Sequence, residues 1–178
     1  LCGLVVWTTV IHMLMDPKGL TIQVMTPYGT SKALHVVGIS RFTAFTQWSW
    51  ALQGLYFGLC TIIWFLNKHY PMILIDKSYG IAPFVNPICF GLWLIYELSV
   101  TMSFIVSSLV TFVLIPQAKR KGLPIDNYYR PLTLLMHNMN VLFMTIELGL
   151  NSFHFVMSHI FVPALWGFAY IRFAWWWY

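Results

Sequence analysis

The segment from Phe42 to Leu66 carries no charged residue over 25 positions, and this run constrains the fold more than any other feature. As a helix it would be about 37 Å long, longer than the roughly 30 Å hydrocarbon core of a bilayer. The whole sequence is 59% hydrophobic and only 8% charged, whereas soluble domains average about 25% charged residues. A soluble domain of this length cannot bury so much apolar surface. The sequence therefore predicts an integral membrane protein.

The apolar segments are long and continuous, which favours helices over the alternating strands of a β-barrel. Five such segments are present: Leu1–Met15, Phe42–Leu66, Ile88–Ile115, Leu132–Leu150 and Phe155–Ala174. We predict an all-α, polytopic transmembrane helix bundle that forms a single domain over residues 1–178. Five spans are visible. The chain begins with Leu rather than Met, so we expect sequence missing at the ends and six spans in the complete protein.

Connections rich in Pro and Gly separate these segments, and residues 16–41, 67–87 and 116–130 are predicted to be loops. The first and third loops hold seven Lys and Arg residues, and the second holds two. Because positive loops remain on the cytoplasmic side, the first and third should face the cytoplasm, or the matrix or stroma of an organelle. Pro131 is predicted to begin the fourth helix, and Pro163 to kink the fifth.

The fourth segment carries a polar stripe at steps of three or four residues, which in a helix occupies one face. Its members are Thr133, His137, Asn140, Met144, Glu147, Asn151 and His154. A charged side chain at the bilayer centre costs on the order of 3 kcal/mol even on the mildest scale. We therefore expect this face to point into the bundle.

Two other segments carry polar stripes of the same kind. The second has Thr43, Thr46, Trp50, Gln53, Phe57 and Cys60, and the third has Glu97, Thr101, Ser108 and Thr111. Hydroxyls and amides often join membrane helices by hydrogen bonds worth about 0.6 kcal/mol each. That structural role is the simplest interpretation for any single Ser or Thr. Glu97 and Glu147 are predicted to be buried acids.

His137 is the residue best suited to a catalytic role, because a neutral imidazole can act as a base near pH 7. It would need a nucleophile, and Thr46 on a neighbouring helix is a candidate. Spacing alone does not pair them. No carboxylate lies one turn from His137, and Glu147 is about 15 Å further along the helix.

Metal and haem sites are less well supported by the sequence. Axial haem ligands from facing helices could be supplied by His12, His137, His154 and His159. The sequence shows no pattern of small residues beside them that would allow close approach of the haem ring. The three cysteines, Cys2, Cys60 and Cys89, lack metal-ligand spacing and do not suggest disulfides. We therefore expect no metal and no cofactor. The net charge of +5 is spread over loops and helix ends, which favours lipid headgroups over nucleic acid.

Two stretches resemble the androgen-induced-gene and rolling-stone family of multipass membrane proteins. Residues 41–60, RFTAFTQWSWALQGLYFGLC, place Thr46 twelve positions before Gly58, similar to the family's threonine and aromatic-Phe-Gly pattern. Residues 136–148, MHNMNVLFMTIEL, are similar to its Met-His start of an apolar helix. The final stretch, ALWGFAYIRFAWWWY, resembles its aromatic-rich segment. The resemblance covers about Arg41 to Tyr178.

The resemblance implies an intramembrane hydrolase of fatty acid esters of hydroxy fatty acids, with a threonine nucleophile and a histidine. Those positions match Thr46 and His137. Loop charges differ from the animal enzymes, and the features lean toward the rolling-stone and plant-like branch, for which hydrolysis is less established. The family fold can therefore be retained in a protein whose chemistry has changed or been lost.

On this interpretation Thr46 attacks the ester carbonyl and His137 transfers the proton. Gln47, Asn138 or Asn140 would stabilise the oxyanion, and the acyl chains would lie along a lipid pocket of Trp50, Phe57, Phe143 and Met144. The expected setting is an endomembrane or the plasma membrane, with membrane lipids as partners. The alternative is a non-catalytic, lipid-binding accessory subunit of a larger complex, such as a respiratory-type assembly of the mitochondrial inner membrane, which contacts other transmembrane subunits.

Overall fold

The computed structural model describes residues 2–25, 31–69, 87–151 and 154–177 and is mostly helical. The helices, in chain order, are α1 (Cys2–Met15), α2 (Phe45–His69), α3 (Pro87–Ser108), α4 (Ile115–Arg120), α5 (Pro131–Leu134), α6 (Asn140–Leu150) and α7 (Phe161–Trp177). Two helical stretches, Phe45–Leu66 and Cys89–Arg120, are long and apolar enough to cross a membrane. The five predicted apolar segments therefore each contain a helix, and two of these helices reach membrane-spanning length and hydropathy.

Two π-helical turns join shorter helices into longer rods. Leu109–Leu114 connects α3 to α4, and Leu135–Met139 connects α5 to α6. Pro116 explains the first, because proline has no N–H to donate to the preceding turn and its ring crowds that turn. We call the second unit, residues 131–150, the α5–α6 rod. Pro131 is its first helical residue, as the sequence predicted.

The predicted loop at residues 16–41 contains a feature that the sequence did not indicate. Strands β1 (Leu20–Met25) and β2 (Ser31–Val36) pair antiparallel, with Leu20 opposite Val36 and Met25 opposite Ser31. A 3₁₀ turn, Gly38–Thr43, then leads into α2. The loop prediction is thus wrong over the two strands. Long apolar runs reveal membrane helices, but they give no indication of a hairpin with six-residue strands. Most of the predicted loop at 67–87 lies outside the described residues.

The last helix differs from its predicted form. α7 begins at Phe161, after a 3₁₀ turn at Met157–Ile160, rather than at Phe155. Pro163 therefore lies in the first turn of the helix, where its missing N–H has no intrahelical partner to lose. The predicted kink is wrong for that reason. α7 packs against α3 and against the start of α2.

α1 and α2 pack closely because glycines line their contact. A Cβ atom on Gly54 would lie 3.0 Å from Val6 Cγ1 and 3.2 Å from the Trp7 ring, and one on Gly3 would lie 3.0 Å from Phe57 Cβ. The Trp7 indole N–H donates to the Gly54 carbonyl at 3.1 Å. Small residues permit such close approach between helices in membranes.

Replacing Gly54 with Leu should lower the free energy of unfolding by about 1–3 kcal/mol, because the new side chain has to displace Val6 and Trp7. The matched control is Gly149→Leu, since a Cβ at Gly149 meets no atom within 4 Å. Thermal unfolding in detergent would compare the two variants. Equal midpoints for both would contradict the close packing of α1 on α2.

An ion pair closes the end of the bundle where α1 meets the 3₁₀ turn before α2. Arg41 Nη2 donates to Asp16 Oδ2 at 2.9 Å, and the Arg41 side chain is buried whereas Asp16 is partly exposed. The guanidinium of Arg41 and the Lys18 backbone N–H hold the pKa of Asp16 below its ordinary value. Removal of one partner would leave the other charge uncompensated, which is most costly for the buried one.

The lowered pKa of Asp16 predicts how the stability depends on pH. A carboxylate with a depressed pKa stabilises the fold above its unfolded-state pKa of about 3.9, and this contribution disappears as the pH falls through the folded-state value. Asp16→Asn should therefore lower the thermal midpoint at pH 7, and the gap from the wild type should close in strong acid. Asp126→Asn, at an exposed position, is the control. A gap that does not change with pH would refute this assignment.

Candidate functional site

The candidate site lies along the contact between α2 and the α5–α6 rod, which we call the polar seam. Three hydrogen bonds cross it: Gln47 Nε2 donates to Met136 Sδ at 3.3 Å, Gln53 Nε2 to the Asn140 carbonyl at 2.9 Å, and Tyr56 Oη to Glu147 Oε1 at 2.6 Å. The partners are 89, 87 and 91 residues apart in sequence. This nearly constant separation means that the two helices run parallel.

The middle of the polar seam is organised by Gln53, whose side chain is completely buried. Its amide also donates to Ser103 Oγ on α3 at 2.9 Å, and the Ser103 hydroxyl donates to the Ser99 carbonyl. One side chain therefore joins three helical units. A buried amide whose donors are satisfied fixes the register of the helices around it, since any shift would leave polar groups unpaired.

Gln53→Met should lower the free energy of unfolding by about 1–3 kcal/mol, because the partners of the amide remain buried without it. Gln117→Met makes the same chemical change at an exposed position of α4 and should leave stability nearly unchanged. Chemical or thermal unfolding of both variants would measure the difference. The bridging role would be wrong if the Gln53 variant were as stable as the control.

Thr46 and His137 lie at matching positions on the two sides of the polar seam. They are 91 residues apart in sequence, the same separation as the Tyr56–Glu147 bond, so the parallel packing brings them to the same level. Thr46 is half-buried in the first turn of α2, and His137 is 8% exposed within the π-helical turn. Trp50, one turn after Thr46, stacks against Phe143 of the rod. Both residues therefore belong to stripes that face each other.

The two side chains are not hydrogen-bonded to each other among the described contacts. The His137 Nδ1 atom is buried and has no hydrogen-bond partner in the described part of the chain. The sequence found no carboxylate to orient this ring, and the structure supplies none within hydrogen-bond distance of Nδ1. His137 is thus a buried imidazole with one unused nitrogen at the level of a threonine hydroxyl.

The three predicted oxyanion donors have different surroundings. Asn138 is exposed and turned away from the polar seam, as expected for the residue one position after an inward-facing His137. Asn140 is buried, but its Oδ1 accepts the Val141 backbone N–H and its carbonyl accepts Gln53. Gln47 is buried beside Thr46. Of the three, Gln47 is therefore the donor best placed for such a role, and the role itself stays a prediction.

Gln47 has an unusual pair of acceptors. Its Nε2 donates to Met13 Sδ and Met136 Sδ, each at 3.3 Å. Thioether sulfurs are weak acceptors, so the amide N–H groups are held in place without a strong partner. An ester carbonyl oxygen that reached this position would be a better acceptor.

Both predicted buried acids have partners. Glu97 accepts the Val156 backbone N–H at 2.9 Å and lies 2.7 Å from His159 Nδ1. Glu147 is half-buried and accepts the Tyr56 hydroxyl, while Asn151 Nδ2 donates to both groups, at 3.3 and 3.0 Å. Buried acids in a bilayer require such partners. The sequence identified the acids and missed the pairing with His159, for which the only available signal was that Glu97 needed a donor.

The predicted lipid pocket is largely packed protein. Trp50 is 1% exposed and Met144 is fully buried, and each belongs to a core cluster. Phe143 packs beside Trp50. Phe57 alone of the four lines an open groove, of about 300 Å³, between the start of α1 and the second half of α2. The pocket prediction fails for Trp50 and Met144, because apolar residues at helical spacing form the core as readily as a binding site.

Histidines and cysteines do not gather into a metal site in the part of the chain that the structure describes. Of the predicted axial ligands, His154 is exposed and His159 is bonded to Glu97. The cysteines Cys2, Cys60 and Cys89 are free thiols. Cys2 and Cys60 both line the groove between α1 and α2.

The chain matches no protein-family model, no curated protein and no solved structure. The likeness to the androgen-induced-gene and rolling-stone family therefore stays a prediction from short motifs.

Proposed function

We propose that this chain is an intramembrane hydrolase of fatty acid esters of hydroxy fatty acids, with Thr46 as nucleophile and His137 as base. The observation that carries the proposal is the shared level of these two residues on opposite sides of the polar seam. The parallel separation of 87 to 91 residues supports it, because Thr46 and His137 fall within the same interval. The two motifs of the resemblance thus lie on α2 and on the turn Leu135–Met139, which contact each other.

The multipass arrangement is part of this proposal. The stretches Phe45–Leu66 and Cys89–Arg120 have the length and hydropathy of membrane spans. The α5–α6 rod has 20 residues and is about 30 Å long, which also matches a bilayer core. α1 and α7 would complete five spans. Parallel packing of α2 with the α5–α6 rod agrees with a topology in which these are the second and fourth spans.

The chemistry follows from the residues at this level. The Thr46 hydroxyl attacks the ester carbonyl while His137 accepts its proton, and the same imidazole then protonates the departing alcohol. Water hydrolyses the acyl-threonine and restores both residues. Gln47, held between two thioethers, donates to the developing oxyanion. A position in the first turn of α2 helps further, since the positive end of the helix dipole stabilises nearby negative charge.

Thr46→Ala and His137→Ala should each reduce turnover of a long-chain ester by at least about a hundredfold, because each removes one essential step. The chemically matched controls are Thr145→Ala and His154→Ala, at exposed positions, which should keep wild-type rates. Hydrolysis would be followed by release of the hydroxy fatty acid in detergent or liposomes. Unchanged turnover in the Thr46 or the His137 variant would refute the mechanism.

Gln47 provides a second test of the same site. Gln47→Met preserves volume but removes the N–H donors, so kcat should fall about tenfold or more with a smaller change in KM.

A non-catalytic accessory subunit remains the second candidate, and one observation favours it. α7 is apolar except at Tyr170 and Arg172 and has no fully buried residue, while Trp175 and Trp176 are highly exposed. The apolar surface of α7 that does not pack on α2 and α3 has to contact lipid or the helices of other subunits. Native mass spectrometry of the protein extracted from its own membrane would reveal a stable larger complex, and inactivity of the wild type on all esters tested would then favour this role.

A further inference from the structure

The turn that leads into α2, and with it Thr46, is fixed by two hydrogen bonds from aromatic side chains. The Trp48 indole N–H donates to the Phe42 carbonyl at 2.7 Å, and the Tyr170 hydroxyl of α7 donates to the Thr43 carbonyl at 2.8 Å. Thr43 is almost completely buried. A buried carbonyl without a partner is costly, so both bonds hold the backbone in one conformation.

The Thr43 carbonyl is available because it precedes the hydrogen-bond ladder of α2. Thr43 is the last residue of the 3₁₀ turn, and the first carbonyl of the ladder is that of Ala44, which also accepts the Gln47 backbone N–H at 3.0 Å. The Thr43 carbonyl therefore lies outside the helical ladder and accepts a donor from α7 instead. Tyr170 supplies the donor from a helix 127 residues away in sequence.

An aromatic cluster places the Tyr170 ring for this contact. Its ring centroid lies 4.8 Å from that of Phe45 and 5.7 Å from that of Trp48. Trp166 and Phe173 of α7 pack on Trp48 at 5.5 and 5.1 Å. Ring packing alone would be served equally well by phenylalanine. The hydroxyl adds one directional bond, and that bond ends on the backbone three residues before Thr46.

We propose that Tyr170 is a positioning residue, which fixes the first turn of α2 and thereby the direction of the Thr46 hydroxyl. Its kinetic consequence rests on the proposed function, whereas the effect on the backbone does not. A nucleophile must be oriented closely toward its base and its target carbonyl. A helix start that is free to shift would leave Thr46 present but misplaced.

The test compares Tyr170→Phe with Tyr129→Phe, which removes the same hydroxyl from an exposed residue. In Tyr170→Phe, kcat should fall about five- to tenfold with KM within about twofold, as expected for the loss of one hydrogen bond that acts on orientation. Hydrogen exchange of the full chain should quicken at residues 43–48 and remain unchanged elsewhere. The control should match the wild type in both measurements.

The possible outcomes separate this inference from the proposed function. If the wild type is active and Tyr170→Phe keeps its kcat, the positioning role is wrong. Uniformly faster exchange with a lower thermal midpoint would also refute it, because Tyr170 would then support stability in general. If the wild type and Thr46→Ala are equally inactive, the proposed function fails, and exchange alone decides: faster exchange confined to residues 43–48 supports positioning, and unchanged exchange overturns it.

Discussion

The buried amide of Gln53 is the interaction on which the remaining architecture depends. It joins α2 to Asn140 of the α5–α6 rod and to Ser103 of α3, at a point where all three partners are inaccessible to solvent. In an apolar bundle most helix contacts tolerate sliding, because one methyl group packs much like another. A directional bond to a buried carbonyl does not. The register of the polar seam, and hence the level at which every other residue meets its partner, is therefore set at this point.

The hydrogen bonds differ between the two ends of the polar seam. Beyond Gln53, Glu147 accepts the Tyr56 hydroxyl. Outside the seam, Glu97 of α3 accepts the Val156 backbone N–H and contacts His159. Toward the start of α2, Gln47 Nε2 donates to two thioether sulfurs, and His137 Nδ1 has no hydrogen-bond partner among the described residues. A buried polar atom without a hydrogen-bond partner calls for an explanation, and the proposed role of His137 as a base would supply one. Gln53 Oε1 and Ser99 Oγ also have no partner among the described residues, so an unused polar atom does not by itself mark a reaction site.

Much of this arrangement was predictable from residue spacing, and particular elements show which features spacing does not predict. The polar stripes of α2 and of residues 133–151 did face inward, because period and hydrophobicity define a helix face without reference to neighbours. Pro131 began its helix for a local reason as well. The kink predicted at Pro163 was wrong, because a proline in the first turn of a helix does not break a hydrogen bond, and the sequence did not show where α7 begins. The hairpin of β1 and β2 also escaped notice, since its short strands give a weak periodic signal.

The sequence by itself determined the helical class, the apolar segments and the inward faces of α2 and of residues 133–151, which follow from local composition and spacing. The same reasoning was wrong for Ser108, Thr111 and His154, which are exposed. Only the tertiary structure decided which faces meet. It set the parallel register of α2 and the α5–α6 rod, buried Gln47 and left Asn138 exposed, paired Glu97 with His159 and brought the Tyr170 hydroxyl to the Thr43 carbonyl. These outcomes depend on contacts between residues tens of positions or more apart. Such contacts depend on complementary surfaces of two helices, as where Gly54 meets Trp7 and the Gln53 amide meets the Asn140 carbonyl. The sequence of one helix does not determine them.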